Sequence, residues 1–493
     1  MLGKTFLVMA LLMCLPLIVV LSYGEVSLYG DKIILAFLIP TFGLLCTGLP
    51  LSLMKVKDKS LYAKEGFVIV ALIWLIVSVV GCVPFLISQV IPNFFDAFFE
   101  TVSGFSTTGA SILTLENNSM LYLTQEGLWE VMPKSIMFWR VFTHWIGGMG
   151  VLVFLLAILP SNGNNMHIFR AETPGPSSSK LVSKIKQTAI ILYLIYLILS
   201  AIMVFFLLFG GLDLYESLLA MFSTAGTGGL AIYGNSIQHY NSVYIEMVIA
   251  VFMMLFGINF NVYYMVLIGK AVKGIKSEEL FTYFLIIIAS TVAIAINIIS
   301  ITGNFWTSLR YSFFQTTSII STTGFASVNF DNWPALSKGI LIFLTIVGAC
   351  GGSTGGGIKL SRMIILAKSS VKDIKKSLRA RSVNCVMFEG QALDREVERN
   401  VRTYFIMWVG IVIASTLLLS LDTFGDIYAN FASTLACIGN VGPVISDVIG
   451  SMGNYSGYNW FSKLVLSFVM LAGRLEIFPL IILFTPRTWK RGK

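Results

Sequence analysis

Four stretches decide the architecture: DAFFETVSGFSTTGAS (96–111), LYESLLAMFSTAGTGGLA (214–231), SLRYSFFQTTSIISTTGFAS (308–327) and DIYANFASTLACIGNVGP (426–443). Each carries a short apolar segment that runs into a turn of small residues around a glycine. Matching the turns aligns Gly109, Gly228, Gly324 and Gly442, which recur roughly every 100 residues and mark an internal repeat. A helix of about a dozen residues reaches only ~18 Å at ~1.5 Å per residue, so it can enter a membrane without crossing it. Irregular backbone at membrane depth is tolerated where it is buried in protein or lines a wet cavity. Four such turns meeting on one axis satisfy that condition together, and their main-chain carbonyls can then replace the water around a cation. Glycine suits the turn because it reaches backbone angles closed to other residues. Thr and Ser before the glycine (Ser106, Thr107, Thr108; Ser321, Thr322, Thr323) add hydroxyl oxygens.

The rest of the chain fits a membrane setting. Of 493 residues, 56% are hydrophobic and only 12% charged, with mean hydropathy +0.82. A soluble chain carries roughly 25% charge, so a soluble multi-domain enzyme is excluded. Apolar runs long enough to span a bilayer occur at 5–22, 33–53, 66–88, 135–159, 187–209, 243–269, 280–300, 337–368, 403–420 and 461–485, which makes ten expected spans. With ten crossings, most of the 34 Lys and Arg residues fall on one side, together with both termini, and the opposite face is acid-rich. That side is expected to be cytoplasmic. The net charge of +9 is explained by this bias and does not call for nucleic acid. The expected units are an N-terminal two-helix hairpin (1–60) and four span–short helix–span repeats (61–160, 161–276, 277–385 and 386–493).

Two further features sit below the turns. Cys350-Gly-Gly-Ser-Thr-Gly-Gly-Gly357 breaks the second span of the third repeat, because so many glycines do not sustain a helix. It reads either as a loop lining a cavity or as a close-packed kink. Arg474 lies deep in the last span, where an isolated charge is costly. It either faces the pore or pairs with Glu476, although side chains two residues apart on a helix do not face each other. Asn259 and Asn261 either line the cavity or bridge helices, and Arg140, His144 and Trp145 are expected to be structural. The basic run Lys359–Arg381 either docks a partner, touches anionic lipid or simply flanks a span. GGSTGGGIK is not a phosphate loop, since Ile358 separates the last glycine from Lys359.

The motifs STTGAS (106–111), FRAETPGP (169–176), STTGFAS (321–327), GACGGSTGGGIKLSR (348–362), NVGP (440–443) and GRLEIF (473–478) resemble the TrkH/TrkG/KtrB superfamily of bacterial potassium uptake proteins along essentially the whole chain. The N-terminal hairpin is similar to the TrkH/TrkG branch. The resemblance implies an all-α polytopic membrane protein with four repeats around one pseudo-fourfold pore, working as a homodimer. It implies a potassium selectivity filter at Thr107, Thr108, Gly109, Thr227, Gly228, Thr322, Thr323, Gly324, Asn440, Val441 and Gly442. It makes Gly351, Gly352, Ser353, Thr354, Gly355, Gly356 and Gly357 an intramembrane gating loop, with Arg474 as a cation barrier. It also implies a cytosolic nucleotide-binding TrkA-like regulatory ring, a bacterial inner-membrane location, K⁺ as the transported ion, no bound cofactor and no enzymatic activity. The turns AGTGG and GNVGP depart from TTG, which implies looser selectivity. A carrier coupled to H⁺ or Na⁺ is the alternative. The repeats run parallel rather than inverted, which favours a channel-like pore.

Overall fold

Two long apolar helices, α1 (Leu2–Ser22) and α2 (Lys32–Leu53), lie along each other as a hairpin. They open a computed structural model that describes residues 2–54, 63–113, 121–123, 129–150, 185–379, 385–446, 448–450 and 454–489. After the hairpin one pattern recurs four times: a helix, a short helix, an irregular turn and a second helix. The first occurrence is α3 (Ala63–Gly81), α4 (Phe94–Phe105) and α5 (Lys134–Gly148). The second is α6 (Ile185–Phe209), α7 (Leu214–Gly226), α8 (Val243–Phe256) and α9 (Phe260–Leu267). The third is α10 (Glu278–Thr302), α11 (Phe305–Ile320), α12 (Ala335–Val347) and α13 (Leu360–Leu378). The fourth is α14 (Arg395–Leu419), α15 (Ile427–Gly439), α16 (Trp460–Arg474) and α17 (Phe478–Phe484). Short helical turns lie between these, and two small antiparallel hairpins accompany them: β1 (Leu121–Leu123) with β2 (Trp129–Val131), and β3 (Met387–Phe388) with β4 (Gln391–Ala392).

The short helices form because each begins at a polar cap. The side chains of Asn93, Asp213, Asn304 and Asp426 accept from backbone N–H groups of the first turn and satisfy donors that a helix start leaves unpaired. All four then run into the protein interior, and from Ala97 to Phe105 every residue of α4 is buried. Some of their Ser and Thr hydroxyls donate to carbonyls of the preceding turn, as in Thr101 to Ala97 O, Thr224 to Ala220 O and Ser433 to Ala429 O, each at 2.7 Å. The outer helices behave differently. Phe281, Ile288 and Ile296 on α10 are large, apolar and exposed, as suits a helix facing lipid.

Among the described residues six helices are long and apolar enough to cross a membrane: α1, α2, α3 with its continuation to Ile87, α6, α10 and α14. The other expected spans are not continuous helices. α8 and α9 are a bent pair, turned by 88° between Phe256 and Phe260. α12 and α13 are parted by residues 348–359, and α16 and α17 by Leu475–Ile477. α5 stops at Gly148. The sequence led us to expect such a break only in the third repeat. The far end of span 135–159, the motif FRAETPGP and the basic residues Lys55, Lys57, Lys59, Arg170, Lys180, Lys184 and Arg381 lie outside the described residues.

Candidate functional site: a ring of four turns above a hydrogen-bonded loop

The short helices end alike. A residue with left-handed backbone follows each one: Thr107 (φ 58°), Thr227 (φ 56°), Thr322 (φ 60°) and Asn440 (φ 52°). The next amide reaches back into the helix, from Thr108 to Ser103 O, Gly228 to Ser223 O, Thr323 to Ser318 O and Val441 to Ala436 O, each at 2.9 Å. A glycine with positive φ then follows: Gly109 (77°), Gly229 (74°), Gly324 (84°) and Gly442 (89°). Both signs put Gly229 in register with the other three. Gly228, the glycine expected in register from the sequence, instead matches Thr108, Thr323 and Val441, one residue earlier. Gly228 is glycine for a different reason, because a Cβ there would lie 2.1 Å from the His144 ring.

The turns touch in a closed cycle. A Cβ added to Gly109 would lie 1.8 Å from Gly228 O, one on Gly229 2.1 Å from Thr323 O, one on Gly324 2.0 Å from Val441 O and one on Gly442 2.4 Å from Thr108 O. Each turn thus sets a glycine against a carbonyl of the next, and the fourth returns to the first. All eleven residues expected at the filter are brought together in this cycle.

Buried groups brace it from behind. Arg140 Nε bonds Glu100 Oε1 at 2.6 Å, while its Nη atoms reach Ser111 Oγ (2.9 Å) beyond the first turn and Ala231 O (3.2 Å) beyond the second. Glu100 also accepts from the Ile112 amide at 3.0 Å. Ser236 Oγ accepts from Ala326 N (3.2 Å), joining the second and third turns. Tyr455 donates to Gly442 O (2.7 Å) through its hydroxyl and to Ser111 O (2.9 Å) through its amide, joining the fourth and first. Asn440 Nδ2 donates to Thr108 Oγ1 (2.9 Å), and Lys463 Nζ meets Asp96 Oδ1 (2.6 Å) across the same joint. Arg140 and His144 therefore serve as framework, as expected, the His144 ring resting near Ser223 Oγ at 3.4 Å. Thr107 Oγ1 and Asn440 Oδ1 are buried oxygens with no protein hydrogen bond.

Immediately beneath lies the 348–359 loop, which is bonded along its length. Gly356 N donates to Thr322 Oγ1 (2.6 Å), so the loop touches the third turn directly. Glu279 Oε1 accepts from Gly351 N (2.7 Å) and Ser361 N (3.1 Å), one carboxylate oxygen holding both ends of the loop. The break between α8 and α9 receives it: Cys350 N donates to Gly257 O, Phe260 N to Gly352 O (both 3.1 Å) and Thr354 Oγ1 to Phe256 O (3.2 Å). Ser353 Oγ closes on Cys350 O, and Gly357, with φ 78°, packs against Gly348. Asn259 caps α9 through Asn261 N (3.0 Å) and reaches Glu279 Oε2 at 3.4 Å, which is the helix-bridging role of the two left open.

Arg474 joins the loop to a second repeat. Its Nη1 donates to Thr354 O (2.8 Å) and its Nη2 to Gly148 O (2.6 Å) and Gly147 O. The guanidinium thus sits on the carbonyl end of α5, where a helix favours positive charge. Glu476 pairs with Arg362, whose guanidinium also lies over the Tyr404 ring at 4.1 Å. Lys359 is buried and bonds Gly355 O. The start of the basic run 359–381 therefore belongs to this buried layer and is not a solvated flank.

Sequence reasoning missed Glu279, Glu100, Lys359 and Arg362 as members of this assembly. In the sequence Glu279 is one of two acids in the first turn of a helix, a common place for a carboxylate. The available signal was the scarcity of charge at membrane depth, which makes any buried ionisable group notable.

A family model described as "TrkH: Cation transport protein" matches residues 36–302 and 304–491. The chain belongs to this TrkH family. Its relatives include the Trk system potassium uptake protein TrkH of Escherichia coli (strain K12), 33% identical with 88% of each chain covered, and that of Vibrio parahaemolyticus, 32% identical over 98% of each. The TrkG protein of E. coli is 29% identical, covering 96% of this chain and 94% of its own. The crystal structure of the potassium transporter TrkH from Vibrio parahaemolyticus superposes with a TM-score of 0.82 at 28% identity, covering 99% of both chains. The chain is thus a multi-pass membrane protein of a transporter family, not an enzyme.

Proposed function

We propose that this TrkH-family chain takes up K⁺ through a gated, channel-like pore whose selectivity filter is the ring of turns. The closed cycle of turns is the observation that carries this reading. It supports a reading in which main-chain carbonyls of four turns together replace the water of a dehydrated K⁺. The names of its relatives, Trk system potassium uptake proteins, supply the ion. The filter comprises Thr107–Gly109, Thr227–Gly229, Thr322–Gly324 and Asn440–Gly442, with Thr107 Oγ1 and Asn440 Oδ1 as buried oxygens that make no protein hydrogen bond.

Residues Gly351–Gly357 and Arg474 are the gate. The loop sits against the third turn, and a fixed positive charge in a low-dielectric passage repels a cation. Opening needs the loop to leave Glu279, Thr322 and Arg474. The pore lies in a bacterial inner membrane with both termini cytoplasmic, in a homodimer regulated by a cytosolic nucleotide-binding TrkA-like ring. Basic segments on that side suit such docking. The deciding experiment is K⁺ and Na⁺ flux side by side in liposomes for wild type and Gly109→Ser. A Ser side chain at Gly109 would clash with Gly228 O, so preference for K⁺ should fall. An unchanged preference in folded protein would remove the filter assignment. Dissipation of a K⁺ gradient with no movement of H⁺ or Na⁺ distinguishes a pore from a coupled carrier.

A further inference from the structure

We propose that the groove between α8, α10 and α11 is a binding site for one membrane glycerophospholipid, held by its phosphodiester on Arg310 and by an acyl chain along the apolar wall. The groove has a volume of about 650 Å³, well within the range of pockets that hold whole organic ligands. It opens outward: Val243 is 53% exposed, Ile288 62%, Val292 44% and Trp306 73%. On a membrane protein such a surface faces lipid, so the occupant competing for it is an acyl chain.

Arg310 sets the headgroup. It lies on the second turn of α11, lines the groove and keeps a quarter of its side chain exposed. Its Nε is 3.3 Å from Glu246 Oε2, yet neither atom makes an aligned hydrogen bond. Its guanidinium lies 4.6 Å from the Tyr311 ring centroid. It is ion-paired with Glu246 through Nε, but among the described residues its Nη atoms make no hydrogen bond, whereas those of Arg140, Arg362, Arg402 and Arg474 all do. A guanidinium beside an apolar, lipid-facing trough calls for an anionic oxygen ligand joined to a hydrocarbon tail. A phosphodiester matches its fork of donors. Trp306 stands at the same end, where indoles favour the headgroup region.

The test is native mass spectrometry of the detergent-purified full chain titrated with dioleoylphosphatidylglycerol. Dioleoylglycerol (tails only) and glycerol 3-phosphate (phosphate only) serve as the two partial probes. One saturable phosphatidylglycerol per protomer is expected. Arg310→Gln should weaken it about tenfold. Ile288→Trp, which fills the groove and leaves Arg310 and Glu246 in place, should weaken it similarly, and this second variant guards against a folding defect in the first. Equal binding by Arg310→Gln or by dioleoylglycerol overturns the proposal. So does displacement of the lipid by glycerol 3-phosphate alone. Ready disulfide cross-linking of Ile288→Cys between protomers would show that a second copy of the chain covers the groove, and would also overturn it.

Discussion

Glu279 begins α10 as the second residue of the helix, and a single oxygen of its carboxylate accepts the amides of Gly351 and Ser361. Hydrogen bonds to a charged acceptor are worth roughly 1.5–3 kcal/mol each. Glu279→Ala should therefore release the 348–359 loop, raise basal K⁺ flux in liposomes and lower thermal stability. Reduced flux in folded protein would remove Glu279 from the gate. Gly228→Ala tests a different residue-scale constraint. A methyl group would meet the His144 ring, and overpacking of this kind costs about 1–3 kcal/mol. The expected outcome is a lower melting temperature, with K⁺ preference kept if the protein reaches the membrane. These neighbours also show how far letters alone can be read. Gly109, Gly324 and Gly442 each stand as the obvious glycine of their turn, whereas Gly226-Thr-Gly-Gly229 offers three candidates. Only the backbone angles distinguish the one against Thr323 O from those packed on His144.

At the scale of elements, the second helix of each repeat ends or bends at the level just under the ring, at Gly148, Gly257–Asn259, Gly348–Lys359 and Leu475–Ile477. The glycine-rich break was legible in composition. The others were not, because GlyIleAsn and LeuGluIle hardly disturb an apolar run, and bending there is set by tertiary hydrogen bonds rather than by local propensity. Arg474 binds two of these broken elements together, α5 and the loop. Arg474→Ala should raise K⁺ flux by removing both the fixed charge and the Thr354 tether, and Arg474→Lys should raise it less because charge remains; equal flux in all three proteins would show that neither matters. Arg140 and Glu100 form the corresponding clamp above. Removing one partner of a buried pair costs about 3–5 kcal/mol, so Glu100→Ala should unfold at markedly lower temperature. An Arg140→Met, Glu100→Leu double variant should lose less, as measured by melting in detergent.

For the whole molecule, composition and repeat made the class and the convergence of the turns legible, because lipid forbids most alternatives to helices and buried turns. The polar layer beneath them was not legible. Its partners come from different repeats, as in Arg474 with Gly148 and Arg362 with Glu476, and nothing local encodes such pairings. A pH response is expected at the end of the bundle where α14 gives way to α15. Asp422 is partly buried there, which alone would raise its pKa, but it accepts from Asn459 N (2.8 Å), Ser462 Oγ (2.9 Å) and Phe424 N (3.3 Å). Those bonds hold it below the usual 3.8. A depressed pKa contributes stability that is complete above the ordinary value and is lost as pH falls through the lowered one. Acid unfolding below about pH 4 should therefore be shallower in Asp422→Asn, followed by melting temperature against pH.

Peptide bonds run between the first and second repeats, the second and third, and the third and fourth, but none runs from the fourth back to the first. That last joint is a split washer, closed without a covalent link by contacts that include Lys463 on Asp96, Tyr455 on Ser111, Asn440 on Thr108 and Arg474 on Gly148. A tetramer of identical subunits has four equivalent clasps, whereas this chain has one that can spring while the other three stay tethered. The joint where α4 faces α16 is accordingly the one of the four that non-covalent contacts alone hold.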